Sequence, residues 1–286
     1  MKTTNENKST FTQTSAPIAV LGATGKTGRR VVERLQTRGY AVRSGSRSAS
    51  PAFDWKKPEQ WDAILAGASA IYAAYHPDLA APGATEAITH LVERARYHGI
   101  GRIVLLSGRG EEEAQRCERI VQESGMGYTI VRCSWFNQNF SENFIRDMVL
   151  GGTIALPVGD VREPFIDAED IAAVATAALI EDGHDGELYE ITGPELLTFA
   201  EATREIAEVI GRPVHFAPIT QTDFIEGLRA ASLPEEMVNL LDYLFTQVLD
   251  GRNAFLGDGV QRALGREPRS FAEFVREAHA QAAWGI

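Results

Sequence analysis

The stretch Pro17-Ile18-Ala19-Val20-Leu21-Gly22-Ala23-Thr24-Gly25-Lys26-Thr27-Gly28 decides the fold class. An apolar strand over residues 17–21 runs into a glycine-rich turn. A helix is expected over residues 28–38, with Val31, Val32 and Leu35 on one face and Gly39 closing it. Strand, glycine turn and helix in this order are the context a dinucleotide fingerprint requires. Glycines permit the tight turn and let the backbone approach a pyrophosphate. The helix N-terminus adds free N–H groups and a partial positive charge. Gly22, Thr24, Gly25, Lys26, Thr27 and Gly28 are therefore the expected cofactor loop, with a merely structural glycine turn as the alternative.

Outward from this loop, apolar runs alternate with helical patterns, as βαβ units do. Strands are expected over residues 40–44, 52–54 (short), 70–74, 102–106 and 128–133, and helices over 58–65, 84–98 and 111–124. The second half is less regular. It offers a short strand at 165–166, a strand at 188–191, and helices over 169–180, 198–210, 222–230, 235–249 and 270–278. The fold class is α/β: a Rossmann, doubly wound parallel sheet with a smaller, interleaved C-terminal α+β substrate lobe. The expected division is a disordered tail over residues 1–16, a dinucleotide-binding domain over 17–152 and the lobe over 153–286. The strand near 188–191 returns to the main sheet.

The chain has 286 residues, of which 44% are hydrophobic and 23% charged. This length suits one large α/β domain or two smaller ones and buries about three quarters of the unfolded surface. A disulfide scaffold is not needed. Cys117 and Cys133 are the only cysteines and form no C-x-x-C pair, which argues against a structural zinc site. No apolar run is long enough to span a bilayer, and the polar N-terminus lacks a secretory apolar core. A cytoplasmic protein without a membrane partner is expected. The net charge of −11 argues against nucleic acid. Residues 1–150 carry 19 Lys+Arg against 15 Asp+Glu, and residues 151–286 carry 9 against 24. Either this is solvated surface, or the first half handles an anionic ligand.

The end of the second strand should face the adenosine ribose, where an acid would bind the 2′-hydroxyl of NAD. The residues there are Arg43-Ser44-Gly45-Ser46-Arg47-Ser48, without an acid. Ser46 and Arg47 suit a 2′-phosphate, so NADP(H) is preferred and NAD(H) possible. Arg43 joins them only if the register is favourable. Asp54 and Trp55 are expected near the adenine, Asp54 either accepting from the adenine amine or capping a turn. Ala74 and Tyr75, after the strand at 70–74, complete the expected cofactor surface.

The chain resembles the atypical short-chain dehydrogenases of the NmrA-like group. The resemblance rests on G-A-T-G-K-T-G from Gly22, V-R-C-S-W-F-N-Q-N-F from Val131, P-F-I-D-A-E-D-I-A from Pro164 and Y-E-I-T-G-P-E-L-L-T-F-A-E from Tyr189. Within the group it is most similar to the branch that includes the fungal ergot alkaloid dehydrogenases. The resemblance implies a Rossmann domain with a smaller substrate lobe. It does not imply one reaction: members reduce quinones, imines or activated double bonds, or bind the cofactor only as regulators.

Typical short-chain dehydrogenases protonate a carbonyl through a Tyr-x-x-x-Lys pair. Here the lysines are Lys2, Lys8, Lys26, Lys56 and Lys57, and no such pair exists. The helix that should carry it reads E-E-E-A-Q-R-C-E-R-I from Glu111. Either the chain is no enzyme, or its substrate is a planar aromatic or conjugated small molecule that accepts hydride without a strong acid. Candidate site residues follow the strand ends. His76 is placed to donate a proton or bind substrate, or is a satisfied loop histidine. Ser107 is placed to orient nicotinamide or substrate and shares the tentative catalytic role with His76. Arg109 is a candidate clamp for a substrate oxygen, with a helix-capping loop as the alternative. Trp135, Phe136, Asn137 and Asn139 suit a planar substrate or, alternatively, interlobe packing. Tyr243 is a candidate roof. Cys133 reads as core, and Asp167 and Asp170 as helix caps.

Overall fold

The computed structural model describes residues 16–285. Apart from Ala16, the expected tail lies outside the described residues. In chain order the first half comprises β1 (Ile18–Leu21), α1 (Lys26–Thr37), β2 (Val42–Gly45), α2 (Trp61–Leu65), β3 (Ala70–Ala73), α3 (Ala84–Tyr97), β4 (Arg102–Gly108), α4 (Glu112–Gln122) and β5 (Gly127–Cys133). Then follow α5 (Asn139–Glu142), α6 (Phe144–Gly151), β6 (Thr153–Leu156), β7 (Arg162–Glu163), α7 (Ala168–Ile180), β8 (Glu187–Ile191), β9 (Leu197–Thr198) and α8 (Phe199–Ile210). The chain ends with β10 (His215–Pro218), α9 (Gln221–Ala230), α10 (Glu235–Tyr243), α11 (Gly259–Leu264) and α12 (Phe271–Ala280).

Six parallel strands form one sheet in the order β2-β1-β3-β4-β5-β8. The order reverses between β1 and β3, the position at which such sheets open a ligand crevice. The expected return of the chain near residue 188 is β8, paired with β5. Each sheet face carries its own apolar core, one including Leu21, Ile71, Ile88 and Leu105, the other Val20, Val31, Val104 and Ala175. Helix α7 is buried along most of its length, and its many alanines let it lie close against α1 and the sheet. A third core, around Phe140, Phe165, Phe199 and Phe271, belongs to the C-terminal lobe. There β6 pairs with β10 in parallel and β7 with β9 in antiparallel fashion.

The strand expected at residues 52–54 is absent. Phe53 and Trp55 are buried, but in an aromatic cluster with Trp61 rather than in a ladder. Alternating burial produced a strand-like pattern without a sheet edge to pair with. The helix expected over 235–249 ends as α10 and continues as one π-helical turn at Leu244–Val248. Residues 165–166 contribute only an isolated bridge, Ile166 to Phe136.

Candidate functional site

The phosphate loop is built mainly from backbone. The Gly22 and Ala23 amides donate to the Gly45 carbonyl at 3.0 and 3.1 Å, tying the turn to the end of β2. Gly22 sits at φ +84°, where a Cβ would come within 2.8 Å of the Ala74 carbonyl oxygen. A Cβ at Gly28 would overlap the Gly22 carbonyl, so only glycine lets α1 pack onto the turn. Gly25 precedes α1 without a capping side chain. The amides of Lys26, Thr27 and Gly28 are thus left without intrahelical acceptors. Thr24 and Gly25 are exposed. An open turn, free amides and a helix N-terminus fit a pyrophosphate. Two side chains differ from the simplest expectation. The Thr27 hydroxyl accepts from Tyr72 inside the core at 2.8 Å, which fixes its oxygen and leaves its own proton to donate. Lys26 Nζ donates to Asn139 Oδ1 at 3.0 Å. Burial, despite the nearby Glu142, lowers the affinity of Lys26 for its proton.

At the end of β2, Arg47 is exposed and has no hydrogen-bond or ion-pair partner among the described residues. Ser46 lies beside it, its hydroxyl 3.3 Å from that of Ser48. Arg43 does not join them: its guanidinium binds the carbonyls of Ile64 and Ala66 at 2.7 and 2.6 Å and closes α2. Asp54 accepts from the Lys56 amide at 3.0 Å, the turn-capping alternative. Trp55 donates to the Ala74 carbonyl at 3.2 Å, and its ring packs on Tyr75 with centroids 5.0 Å apart. Both aromatics therefore form a floor between β1 and β3. His76 is exposed; partial desolvation and the charges of Arg47 and Lys56 keep its pKa below the usual imidazole range. Among the described residues, Arg47 is the unpaired cation of this corner, since Lys56 is paired with Glu236 at 3.3 Å.

At the ends of β4 and β5 side chains dominate. Ser107 Oγ donates to Glu118 Oε1 at 2.6 Å, and Glu118 is also held by Arg132. The Ser107 proton is therefore committed inside the protein. Arg109 is buried and bonds Glu190 at 3.0 Å and the carbonyls of Asn253 and Phe255 at 3.3 Å. The expected substrate clamp instead fastens the β4–α4 turn to the 253–255 loop. Glu111, just beyond β4, and Asp78, beyond β3, face one another as a carboxyl pair. Ser134 donates to Glu163 Oε2 at 2.9 Å, while Glu163 Oε1 is buried without a partner. Burial pushes the Glu163 carboxyl up to about 7.

The segment after β5 sends its aromatic side chains into the cores. Trp135 packs edge-on against Phe245 and Phe199, and Phe136 against the sheet core. Asn137 is fully buried with both amide atoms unpartnered, and Asn139 holds Lys26. Tyr243 lies on α10 beside Glu111 and Glu112, where the lobe meets α4. The thiols of Cys117 and Cys133 are buried and free; burial pushes Cys117 up to about 12 and raises Cys133 as well. Asp167 caps α7 through the Glu169 amide, whereas Asp170 binds Arg266 and the Arg269 amide. Sequence reasoning missed Asp78, Glu111, Glu118 and Glu163. Glu111 lay in an acidic run that suits any helix start, and the others carried no local pattern.

A family model described as NAD(P)H-binding matches residues 22–182. Prestalk A differentiation protein A of Dictyostelium discoideum is 30% identical over 284 residues, covering 93% of this chain and 94% of its own. The NAD(P)H azoreductase of Xenophilus azovorans is 29% identical over 93% of this chain and 98% of its own. The fold matches the triphenylmethane reductase of Citrobacter sp. complexed with NADP(H), with a TM-score of 0.76 at 21% identity over 92% of this chain and 99% of the other. It also matches the negative transcriptional regulator NmrA in complex with NAD, at 0.69 and 17% identity over 96% and 100%. The family match spans more than half of the chain and begins at the first glycine of the turn that the geometry fits to a pyrophosphate. The chain belongs to the NAD(P)H-binding family, and its fold is that of NmrA.

Proposed function

We propose that this protein is a cytoplasmic NAD(P)H-dependent reductase of planar, conjugated small molecules, such as quinones, iminium ions or enones. The reading rests on one juxtaposition: a phosphate loop open for a dinucleotide, and a strand-end cleft that lacks a Tyr/Lys relay. The bound dinucleotide supplies the two electrons and the hydrogen of the reduction. The chain's own residues bind and orient. The amides of residues 26–28 hold the pyrophosphate, Arg47 and Ser46 select the 2′-phosphate and hence NADP(H), and Tyr75 and Trp55 form the floor. Trp135 and Tyr243, both partly exposed, border the acceptor space between the sheet edge and the lobe. The azoreductase relative supports a conjugated acceptor. No helix among the described residues is long and apolar enough to cross a membrane. Residues 17–152 serve as the cofactor domain and 153–286 as the substrate lobe, with β8 shared.

The test follows NADPH oxidation by absorbance over a panel of quinones, azo dyes, activated alkenes, iminium ions and simple ketones. Turnover is expected with the conjugated acceptors and near absent with simple ketones. The likeness of fold to NmrA favours a second reading, a cofactor-sensing regulator. NADPH binding without oxidation across the panel would select it. His76→Ala and Ser107→Ala locate the acceptor: a changed KM with His76→Ala alone places it at the exposed rim.

A further inference from the structure

The Asp78–Glu111 pair has no role in the binding just described. Both residues lie at the C-terminal edge of the sheet, beyond β3 and β4, where open α/β sheets receive their ligands. The Glu111 carboxyl lies over the backbone of Gly108, so close that a Cβ there would overlap it. Glu111 is 7% exposed, and its Oε2 is buried without a hydrogen-bond partner. Asp78 is fixed by the Ala80 amide at 2.8 Å and stays partly exposed. Burial and the neighbouring Asp78 raise the Glu111 carboxyl well above the usual range, and burial raises Asp78. Glu118, Cys117, Cys133 and Tyr243 lie within the electrostatic reach of the pair; of the nearby cations, Arg132 is held by Glu118, and Arg252, on the Gly110 carbonyl, is held by Asp250. Arg109, the nearest cation in the β4–α4 turn, is turned toward Glu190. Two carboxyls in such contact keep one proton between them.

We propose that Glu111 is the proton donor to the reduced acceptor and that Asp78 positions this proton and restores it from solvent, an inference that rests on the reductase reading. The reduced nicotinamide dinucleotide is the reductant: a C–H bond there breaks with its electron pair, a new bond to hydrogen forms on the acceptor, and the dinucleotide leaves oxidised. The conjugated acceptor then carries a negative charge, on the adjacent nitrogen of an azo group or on the conjugated oxygen of a quinone or enone. The Glu111 O–H bond breaks, the proton bonds to that atom, and the pair is left with one more negative charge until Asp78 takes a proton from water. The donor matters for acceptors whose reduction leaves a basic anion: azo nitrogens, quinone oxygens and enones. An iminium ion becomes neutral on reduction and needs no donor.

The experiment compares wild type and Glu111→Gln on methyl red, menadione and an N-methyl dihydroisoquinolinium ion. Glu111→Gln is expected to lower kcat on the first two by about 10²-fold or more. The cation should be reduced within about twofold of wild type, with unchanged NADPH affinity by fluorescence titration, in line with the absence of a proton step. The wild-type kcat on menadione should fall with rising pH, and this limb should vanish in the variant. Infrared spectra of the cofactor-free protein at neutral pH should show a protonated-carboxyl band that Glu111→Gln and Asp78→Asn both diminish. Equal slowing of all three acceptors, or no infrared difference between wild type and Glu111→Gln, overturns the proposal. Turnover of none of the three by wild type sinks the reductase reading and the donor with it. Turnover with Glu111→Gln unimpaired sinks the donor alone.

Discussion

At the β1 end of the sheet edge, recognition is done by backbone. Three glycines shape a turn, α1 offers its first amides, and the one lysine is folded onto Asn139. At the β4 and β5 ends it is done by buried side chains: Ser107 with Glu118 and Arg132, Asp78 with Glu111, Ser134 with Glu163. The first end takes its loop from contiguous sequence, tied to Gly45 and packed on Ala74, and tolerates the solvent around it. The second needs distant segments held in register, and burial there raises the carboxyls of Asp78, Glu111 and Glu163 above the usual range. On the reading proposed above, one end holds the dinucleotide and the other faces the acceptor.

The sharpest way to break this contrast is Gly25→Asp. Gly25 is exposed with φ −74°, and a Cβ there would meet only the Gly22 carbonyl oxygen at 3.2 Å, so folding should be little affected. A carboxylate at about 4 Å from a phosphate costs about 4 kcal/mol near a surface, or roughly a thousandfold in affinity. Isothermal titration with NADPH, alongside a thermal melt, should show lost binding in a protein that melts as wild type does. Retained affinity would remove the loop from the cofactor site.

Glu118→Gln is the complementary change at the other end. Glu118 is buried between Ser107 and Arg132, and leaving the guanidinium without its counterion should cost about 3 kcal/mol of stability. Urea denaturation reads this, and NADPH affinity should stay near wild type. A large loss of affinity with unchanged stability would mean that the ion pair serves the ligand directly. The same two ends explain what the sequence made legible. The glycine turn could be read because its three glycines fall within seven residues directly after an apolar strand, and β8 could be read from Leu188, Tyr189 and Ile191 although Glu187 and Glu190 interrupt them. The side-chain networks could not. Glu111 begins an E-E-E run that any helix N-terminus would welcome, and Ser134 and Glu163 meet only because the chain crosses from β5 to β7. Arg109 misled because a basic residue after a strand end looks the same whether it turns to the cleft or to Glu190.

Arg47 tests whether side chains matter at the backbone-dominated end. It is exposed and without a partner, and a charge-assisted contact to a 2′-phosphate is worth roughly 1.5–3 kcal/mol. Arg47→Ala should weaken NADPH by about 10- to 100-fold and leave NADH almost unchanged. Fluorescence titration of both cofactors decides it; equal losses would assign the corner to something other than the 2′-phosphate.

The smallest expected effect belongs to Glu163, and it tests whether the acceptor end stores protons at all. Its carboxyl is fully buried, accepts only from Ser134 and lies within the field of Arg109. Burial raises its pKa from an ordinary 4.5 to about 7. A raised folded-state value means that the native protein holds a proton the unfolded chain has already released. The stability this contributes is complete below about 4.5 and is lost as pH rises through about 7. Between pH 6 and 8 the loss should be about 1 kcal/mol. Glu163→Gln keeps an acceptor for the Ser134 hydroxyl but cannot ionise. The stability difference between wild type and this variant, measured by urea denaturation at several pH values, should therefore shift against wild type by that amount across the interval. Parallel profiles would mean that Glu163 is ionised throughout. A buried carboxylate would then be tolerated with one hydrogen bond and a distant guanidinium, and exclusion of water would no longer separate the acceptor end from the nucleotide end.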